Sequence, residues 1–295
     1  MEITYCVSEE DHQQRAVDVL IRRTGMSRML SKKVRLYGTL LCNGKPHRMI
    51  DPVQSGDVLI ARYPSSNLEK PLIKHHEMID ILYQDDWLLV TAKPPGIVTH
   101  PSRKQDLNAL TSLLSPDILH PINRLDRDTS GIVLIGLNGH THHMISQQQT
   151  QKFYLAILHG RLPFNTGLIN APIRRDPSSL IRREIHPDGV QAKTIWRTID
   201  YNDQKDVSLV KFQLLTGRTH QLRLHSMACG CPIVGDTLYH RDRLPDELDL
   251  LAGRQMLHAS QLCFQHPITG LPINVTAPVP PDMQTVLDYL DLKIV

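Results

Sequence analysis

The sequence predicts an α+β protein, with a small N-terminal unit followed by a larger one. Three observations predict it. Strand-like and helix-like patterns do not alternate regularly, which disfavours a doubly wound parallel sheet. A Pro/Ser-rich stretch at 63–71 separates two segments of different character. The length, 295 residues, is enough for one large core and something small beside it. The expected boundaries are 1–65 for the first unit, 66–75 for a linker and 76–295 for the second.

In the first unit, apolar residues at helical spacing predict a short helix over 16–21 that ends near Thr24-Gly25. Ser27 is an N-cap candidate for a second helix reaching about Leu36. A strand is expected at 39–42. Asn43-Gly44 then supplies a tight hairpin turn, because both residues tolerate positive φ. A closing strand is expected over 53–62, with Ser55-Gly56-Asp57 as its turn. In the second unit, strands at 79–83 and 87–91 flank a turn at Gln84-Asp85-Asp86, and further strands are expected at 207–215 and 263–267. Helical patterns cover about 139–151, 219–229 and 281–290.

Bulk properties exclude several classes. The net charge is +3, too small to demonstrate a nucleic-acid partner by itself. The local distribution says more: between Arg15 and Arg48 lie nine Lys or Arg and one acid, Asp18. The second predicted helix carries Arg28, Lys32, Lys33 and Arg35, and Lys45 follows the Asn-Gly turn. Such a face can neutralise backbone phosphates, although an ordinary solvated basic face has the same composition. Aromatics make up only 5% of the chain, which argues against a long base-stacking array. Five cysteines at irregular spacing read as reduced thiols. The N-terminus has no signal-peptide pattern and no apolar run is long enough for a membrane helix, so a cytoplasmic protein is expected. Sixteen histidines include a cluster at His140, His142 and His143, placed on an exposed helix, but no recognised metal-ligand spacing accompanies them. Neither a dinucleotide fingerprint nor a P-loop is present. No cofactor is expected.

The most specific run is Pro121-Ile122-Asn123-Arg124-Leu125-Asp126-Arg127-Asp128-Thr129-Ser130-Gly131, which leads into the apolar stretch 132–135. Charges beside a core strand are costly unless paired. Alone, an Arg-Leu-Asp triplet reads as a surface turn. The whole run resembles the nucleophile motif of the RluA-type RNA pseudouridine synthases, with Asn123 where that family usually has His. Five further segments resemble the same family in the same order. They are Lys93-Pro94-Pro95-Gly96 after a strand, Lys152-Phe153-Tyr154-Leu155-Ala156, Gly217-Arg218-Thr219-His220-Gln221-Leu222-Arg223, Gly235-Asp236 with Tyr239, and the stretch from Arg254 to Gly270. Together they run from about residue 79 to residue 283. The N-terminal order of helix, basic helix, strand and Asn-Gly-Lys hairpin is similar to the S4 RNA-binding module.

The resemblance implies a mixed, largely antiparallel central sheet with flanking helices and loops around a catalytic cleft, plus a small S4-like α+β domain. It implies an isomerase that breaks the N1–C1′ bond of a uridine, turns the base and rejoins it through C5. It makes Asp126 the nucleophile, Arg218 its facing cation and Tyr154 the ring against the uracil. Arg124 would help extrude the base, and Thr129 would close the turn that presents Asp126. Lys93, Lys152, His220, Gln221 and Arg223 join Arg124 and Thr129 as expected RNA or substrate contacts, with Arg28, Lys32, Lys33, Arg35 and Lys45 on the S4-like unit. The expected partner is RNA, with large-subunit ribosomal RNA favoured over transfer RNA, and the expected state is a monomer. Two other readings use the same residues: an RNA-binding or assembly factor that has lost catalysis, suggested by Asn123, and an N-glycosidase that cleaves without rejoining.

Overall fold

The computed structural model describes residues 2–62, 71–101, 108–240 and 244–294. The expected Pro/Ser linker lies outside the described residues except for Pro71.

The first 62 residues build a four-stranded antiparallel sheet and two helices. Strand β1 (Glu2–Cys6) pairs with β4 (Val58–Arg62), β4 with β2 (Thr39–Cys42), and β2 with β3 (Lys45–Pro46). β1 was not among the expected strands, because five alternating residues at a chain end are a weak signal. Helix α1 (Ala16–Thr24) stops at Gly25, whose φ of 67° is left-handed. Helix α2 (Arg28–Tyr37) starts at Ser27, whose hydroxyl accepts the Leu30 N–H at 3.0 Å. Val19, Leu20, Met26, Leu30, Val34 and Leu59 fill a core of their own beneath these helices. The closing strand begins at Val58 rather than at residue 53, because the Gly56 turn, with φ of 87°, precedes it.

The remainder carries a ten-stranded mixed sheet. In chain order its parts are β5 (Asp80–Gln84), β6 (Leu88–Lys93), α3 (Leu110–Leu114), β7 (His120–Pro121), β8 (Ser130–Gly136) and α4 (Gly139–Ser146). There follow β9 (Gln151–His159), β10 (Thr166–Asn170), a separate hairpin of β11 (Ile173–Arg175) and β12 (Arg183–Ile185), β13 (Lys193–Asn202) and β14 (Val207–Leu214). The chain closes with α5 (Gln221–Ala228), α6 (Glu247–Ala252), β15 (Leu257–Gln265), β16 (Pro272–Thr276) and α7 (Pro281–Tyr289). The sheet order is β10-β13-β14-β9-β15-β8-β6-β5, with β16 on β15 and β7 on β8. Among the described pairs only β15 with β8 is parallel.

Side chains alternate across a strand, and here both faces are covered. Val133, Ile135, Tyr154, Ala156 and Phe212 pack on one side. Ile132 and Leu134 of β8 pack on the other with Leu262 and Phe264, as do Leu155 and Ile157 of β9 with Met283 and Leu287. That is why 132–135 reads as an unbroken apolar run. The helix expected over 139–151 stops at Ser146, and the next residues feed β9. His140, expected on an exposed surface, is 7% exposed, because α4 lies against the sheet.

The parallel contact positions the motif around Asp126. Gly131 pairs with Ala259 and has φ of 112°. A Cβ at this position would lie 2.3 Å from the Ala259 carbonyl oxygen, so only glycine lets the two backbones meet. Gly131→Ala should destabilise the fold by at least about 2 kcal/mol through overpacking and backbone strain, measured by urea unfolding.

Candidate active site

The turn preceding β8 is anchored on every side by buried polar contacts. The carbonyl of Arg127 accepts both the Gly96 N–H at 3.0 Å and the Lys93 ammonium at 2.9 Å. Lys93 Nζ also donates to the carbonyls of Pro94 and Ile97, each at 2.8 Å. Burial pushes this ammonium down to about 7, with the Asp128 charge acting in the opposite sense. Three carbonyls match the three N–H groups of its charged form. Thr99 Oγ1 accepts the Leu125 N–H at 3.1 Å, and the Thr129 N–H closes the turn on the Asp126 carbonyl at 3.1 Å. Arg254 donates to the Asp128 carbonyl at 3.0 Å and pairs with Asp282. Asn123 donates to the Ile132 carbonyl at 2.9 Å and accepts the Leu134 N–H at 2.8 Å, so its side chain acts as a short extension of the β8 ladder.

The opposing wall is the start of α5. Gln221 uses its full amide capacity. Its oxygen accepts from the Arg218 N–H and the Thr216 hydroxyl, and its nitrogen donates to the Lys193 carbonyl and to Thr194 Oγ1. This locks the first turn, with His220 in a left-handed conformation at φ 58°. His220 and Arg223, three residues apart, share one helix face. The Arg223 fork is divided. Nε and Nη2 grip the buried Asp236 at 2.7 and 2.8 Å, and Nη1 reaches Asp126 Oδ2 at 3.2 Å. Burial works against the Arg223 charge, but the two carboxylates outweigh it and hold the guanidinium above its ordinary range.

Asp126 therefore sits on the wall of a cleft of about 630 Å³. The lining residues include six cations, Arg124, Arg127, Lys152, Arg183, Arg218 and Arg223, and a single carboxylate, Asp126. Arg124 is exposed at the rim. Tyr154 on β9 lines the same cleft and is 6% exposed. Burial, reinforced by the Asp126 charge, holds its phenol protonated well beyond the usual range. Burial lowers the Lys152 ammonium from its ordinary value.

The structure brings Asp126, Tyr154, Arg124, Lys152, His220 and Arg223 together, and it corrects four expectations. Arg218 does not face Asp126. Its Nε donates to the Gln191 carbonyl at 3.1 Å, and Arg223, one helical turn inward, takes the ion pair instead. Lys93, Thr129 and Gln221, expected as RNA contacts, are 1%, 2% and 2% exposed and hydrogen-bond to protein partners. Asp236, Tyr239, Arg183 and Arg254 were given no role from the sequence. The motif signal covered all but Arg183, but their partners lie far along the chain.

Among the described residues, His159, Asp246 and Asp249 could approach one metal ion. His159 Nε2 already meets Asp249 at 2.7 Å, and Asp246 and Asp249 form the capping box of α6. All five cysteines are free. None of the described helices is long and apolar enough to cross a membrane.

A family model described as RNA pseudouridylate synthase matches residues 87–228. The RNA pseudouridine synthase YjbO of Bacillus subtilis is 35% identical over 276 residues, which is 89% of this chain and 95% of that one. The chain belongs to the RNA pseudouridylate synthase family. Ribosomal large subunit pseudouridine synthase D of Xylella fastidiosa is 34% identical over 273 residues, covering 86% of this chain and 81% of its own. Human RNA pseudouridylate synthase domain containing 4 has a similar fold, with a TM-score of 0.58, 25% identity and coverage of 72% of this chain and 94% of that one.

For a pseudouridine synthase with this wall, the two arginines should behave differently. Arg218→Ala should keep turnover within about tenfold. Arg223→Lys keeps a charge but loses the planar fork, and should lower kcat by at least about a hundredfold. Single-turnover assays of both variants, with thermal unfolding alongside, test this. Equal losses would return the facing role to Arg218.

Proposed function

We propose that this pseudouridine synthase acts on ribosomal RNA of the large subunit, flipping a uridine into the cleft and using Asp126 as the nucleophile. One observation carries the reading: a single carboxylate, held by Arg223, in a cleft with six Lys or Arg among its lining residues. Cations suit a phosphate backbone, and the carboxylate suits attack at a sugar C1′. The reaction loses and gains no atoms. The N1–C1′ bond breaks, the base turns while still in the cleft, C5 bonds to C1′, and the C5 proton leaves while N1 takes one up. Arg223 orients the carboxylate through its Nη1. Tyr154 offers a ring face to the uracil and a protonated phenol beside Asp126. Arg124, exposed on the cleft lining, would help extrude the base, a step that costs a few kcal/mol of unstacking. The relationship to a protein named for the ribosomal large subunit supports the choice of RNA. The role of Asn123 as backbone support for β8 favours an active enzyme over the silent RNA-binding factor.

The N-terminal unit is read as an S4-like phosphate contact. Arg15, Arg22, Arg23 and Arg48 are each paired with a carboxylate. Arg28, Lys32, Lys33, Arg35 and Lys45 stand on exposed positions of α2 and the following hairpin. The protein is read as a cytoplasmic monomer.

Pseudouridine mapping of ribosomal RNA from cells with and without the gene tests the substrate. The large-subunit assignment predicts a site lost with the gene, and a lost site in transfer RNA alone would overturn it. Release of tritium from RNA labelled at uridine C5 tests the residue. Asp126→Asn should still bind RNA but lose at least about a thousandfold in turnover. Retention of a tenth of wild-type activity would remove Asp126 from the role.

Deletion of residues 1–65 tests the S4-like unit. RNA binding should weaken, and the slope of log affinity against log salt should become shallower as fewer phosphates are neutralised. An unchanged slope would place the basic helix away from RNA.

A further inference from the structure

Beside the Asp126–Arg223 pair runs a second line of hydrogen bonds that the reaction scheme does not use. Its outer end is the hairpin of β11 and β12, which carries Arg174, Arg175, Arg182 and Arg183 and exposes Leu180 and Ile181 at its tip. The Arg183 N–H donates to the Tyr239 hydroxyl at 2.8 Å. That hydroxyl lies 2.8 Å from His220 Nδ1. His220 Nε2 lies 3.8 Å from Asp126 Oδ2. Asp236, the anchor of Arg223, also accepts the Tyr239 N–H at 3.1 Å, so the phenol is carried on the same rigid support as the Asp126 ion pair.

These contacts assign the protons. Burial, with the charges of Arg223 and Arg183, lowers His220 from its ordinary value against the opposing pull of Asp126 and Asp236. Tyr239 is 4% exposed, and its hydroxyl already accepts from Arg183. It has one proton to give, and His220 Nδ1 is the acceptor the described residues offer. Had Nδ1 carried the proton, the buried hydroxyl would accept twice and leave its own proton without an acceptor. The ring proton is therefore on Nε2, aimed at the Asp126 carboxylate. Hydrogen bonds close near 3 Å, so this contact is poised and not yet made.

We propose that Tyr239 is a positioning residue: it holds His220 in the Nε2–H tautomer, and so couples the seating of the arginine hairpin to the orientation of Asp126. Movement of Arg183 on RNA binding shifts the phenol, and the imidazole N–H closes on the carboxylate or withdraws from it. The opposite tautomer would turn a lone pair toward the carboxylate and repel it. This rests on the reading of Asp126 as nucleophile.

The test has one arm that needs no substrate. Full-length protein with nitrogen-15 histidine is examined by NMR at neutral pH without RNA, with the His220 signals identified by their loss in His220→Gln. The expected spectrum has a protonated Nε2 and a bare Nδ1. A protonated Nδ1 overturns the proposal. In the second arm, Tyr239→Phe should mix the tautomers and lower kcat by about ten- to a hundredfold, with KM changed less than about threefold. An unchanged tautomer, or a lower melting temperature with kcat within about twofold of wild type, overturns it. An active Asp126→Asn would instead sink the nucleophile reading while the spectrum of His220 stood, so the two failures are distinguishable.

Discussion

Arg223 divides one guanidinium between two carboxylates, and the rest of the site is arranged to make that division possible. The side chain is 7% exposed, and a buried unpaired charge costs several kcal/mol. Asp236 supplies the compensation through two short bonds from Nε and Nη2 and leaves the Nη1 amino group for Asp126. The remaining group determines where the Asp126 carboxylate sits. Substituting a lysine would neutralise Asp236 but could not serve both acids in one plane. The four bonds of Gln221 hold the helix start in place, and the close approach of Gly131 to Ala259 holds the Asp126 turn in place. Both are rigid devices placed on either side of a single ion pair.

Charge in this protein is sorted by partnership more than by number. The N-terminal window from Arg15 to Arg48 holds nine cations, but the acids that neutralise several of them, Glu10, Asp11 and Asp51, lie just outside it. Exposed cations also lie along α2. In the catalytic cleft the pattern reverses: acids are scarce among the lining residues, and the one present is held by a cation that another acid has already anchored. On the proposed reading, a polyanion would be drawn by the cations and would meet one negative group in the cleft.

Several features were legible from local rules. Ser27 capping α2, Gly25 ending α1 and the apolar run of β8 follow from short-range patterns that the tertiary structure leaves intact. Lys93, Thr129 and Gln221 were legible as motif members but not as buried supports. A polar side chain in a motif has the same letter whether it faces RNA or three backbone carbonyls. The histidines of α4 show the same limit, since the helix was readable and the sheet it packs on was not.

By itself the sequence determined the α+β class and the ordered run of motifs from Lys93 to Gly270, and the resemblance those motifs carry singled out Asp126. Order, spacing and residue type are one-dimensional properties. Only the tertiary structure decided which arginine meets Asp126. Arg218 and Arg223 stand in one motif and differ by five positions, but Arg218, in the loop before α5, meets the Gln191 carbonyl, and Arg223, on α5, meets Asp236 and Asp126. That choice depends on where the helix begins and on Asp236, thirteen residues further along, and neither is expressed in the local sequence. The link from Arg183 through Tyr239 to His220 has the same origin: each bond joins groups distant in the chain, and burial of Tyr239 requires its hydroxyl to be paired.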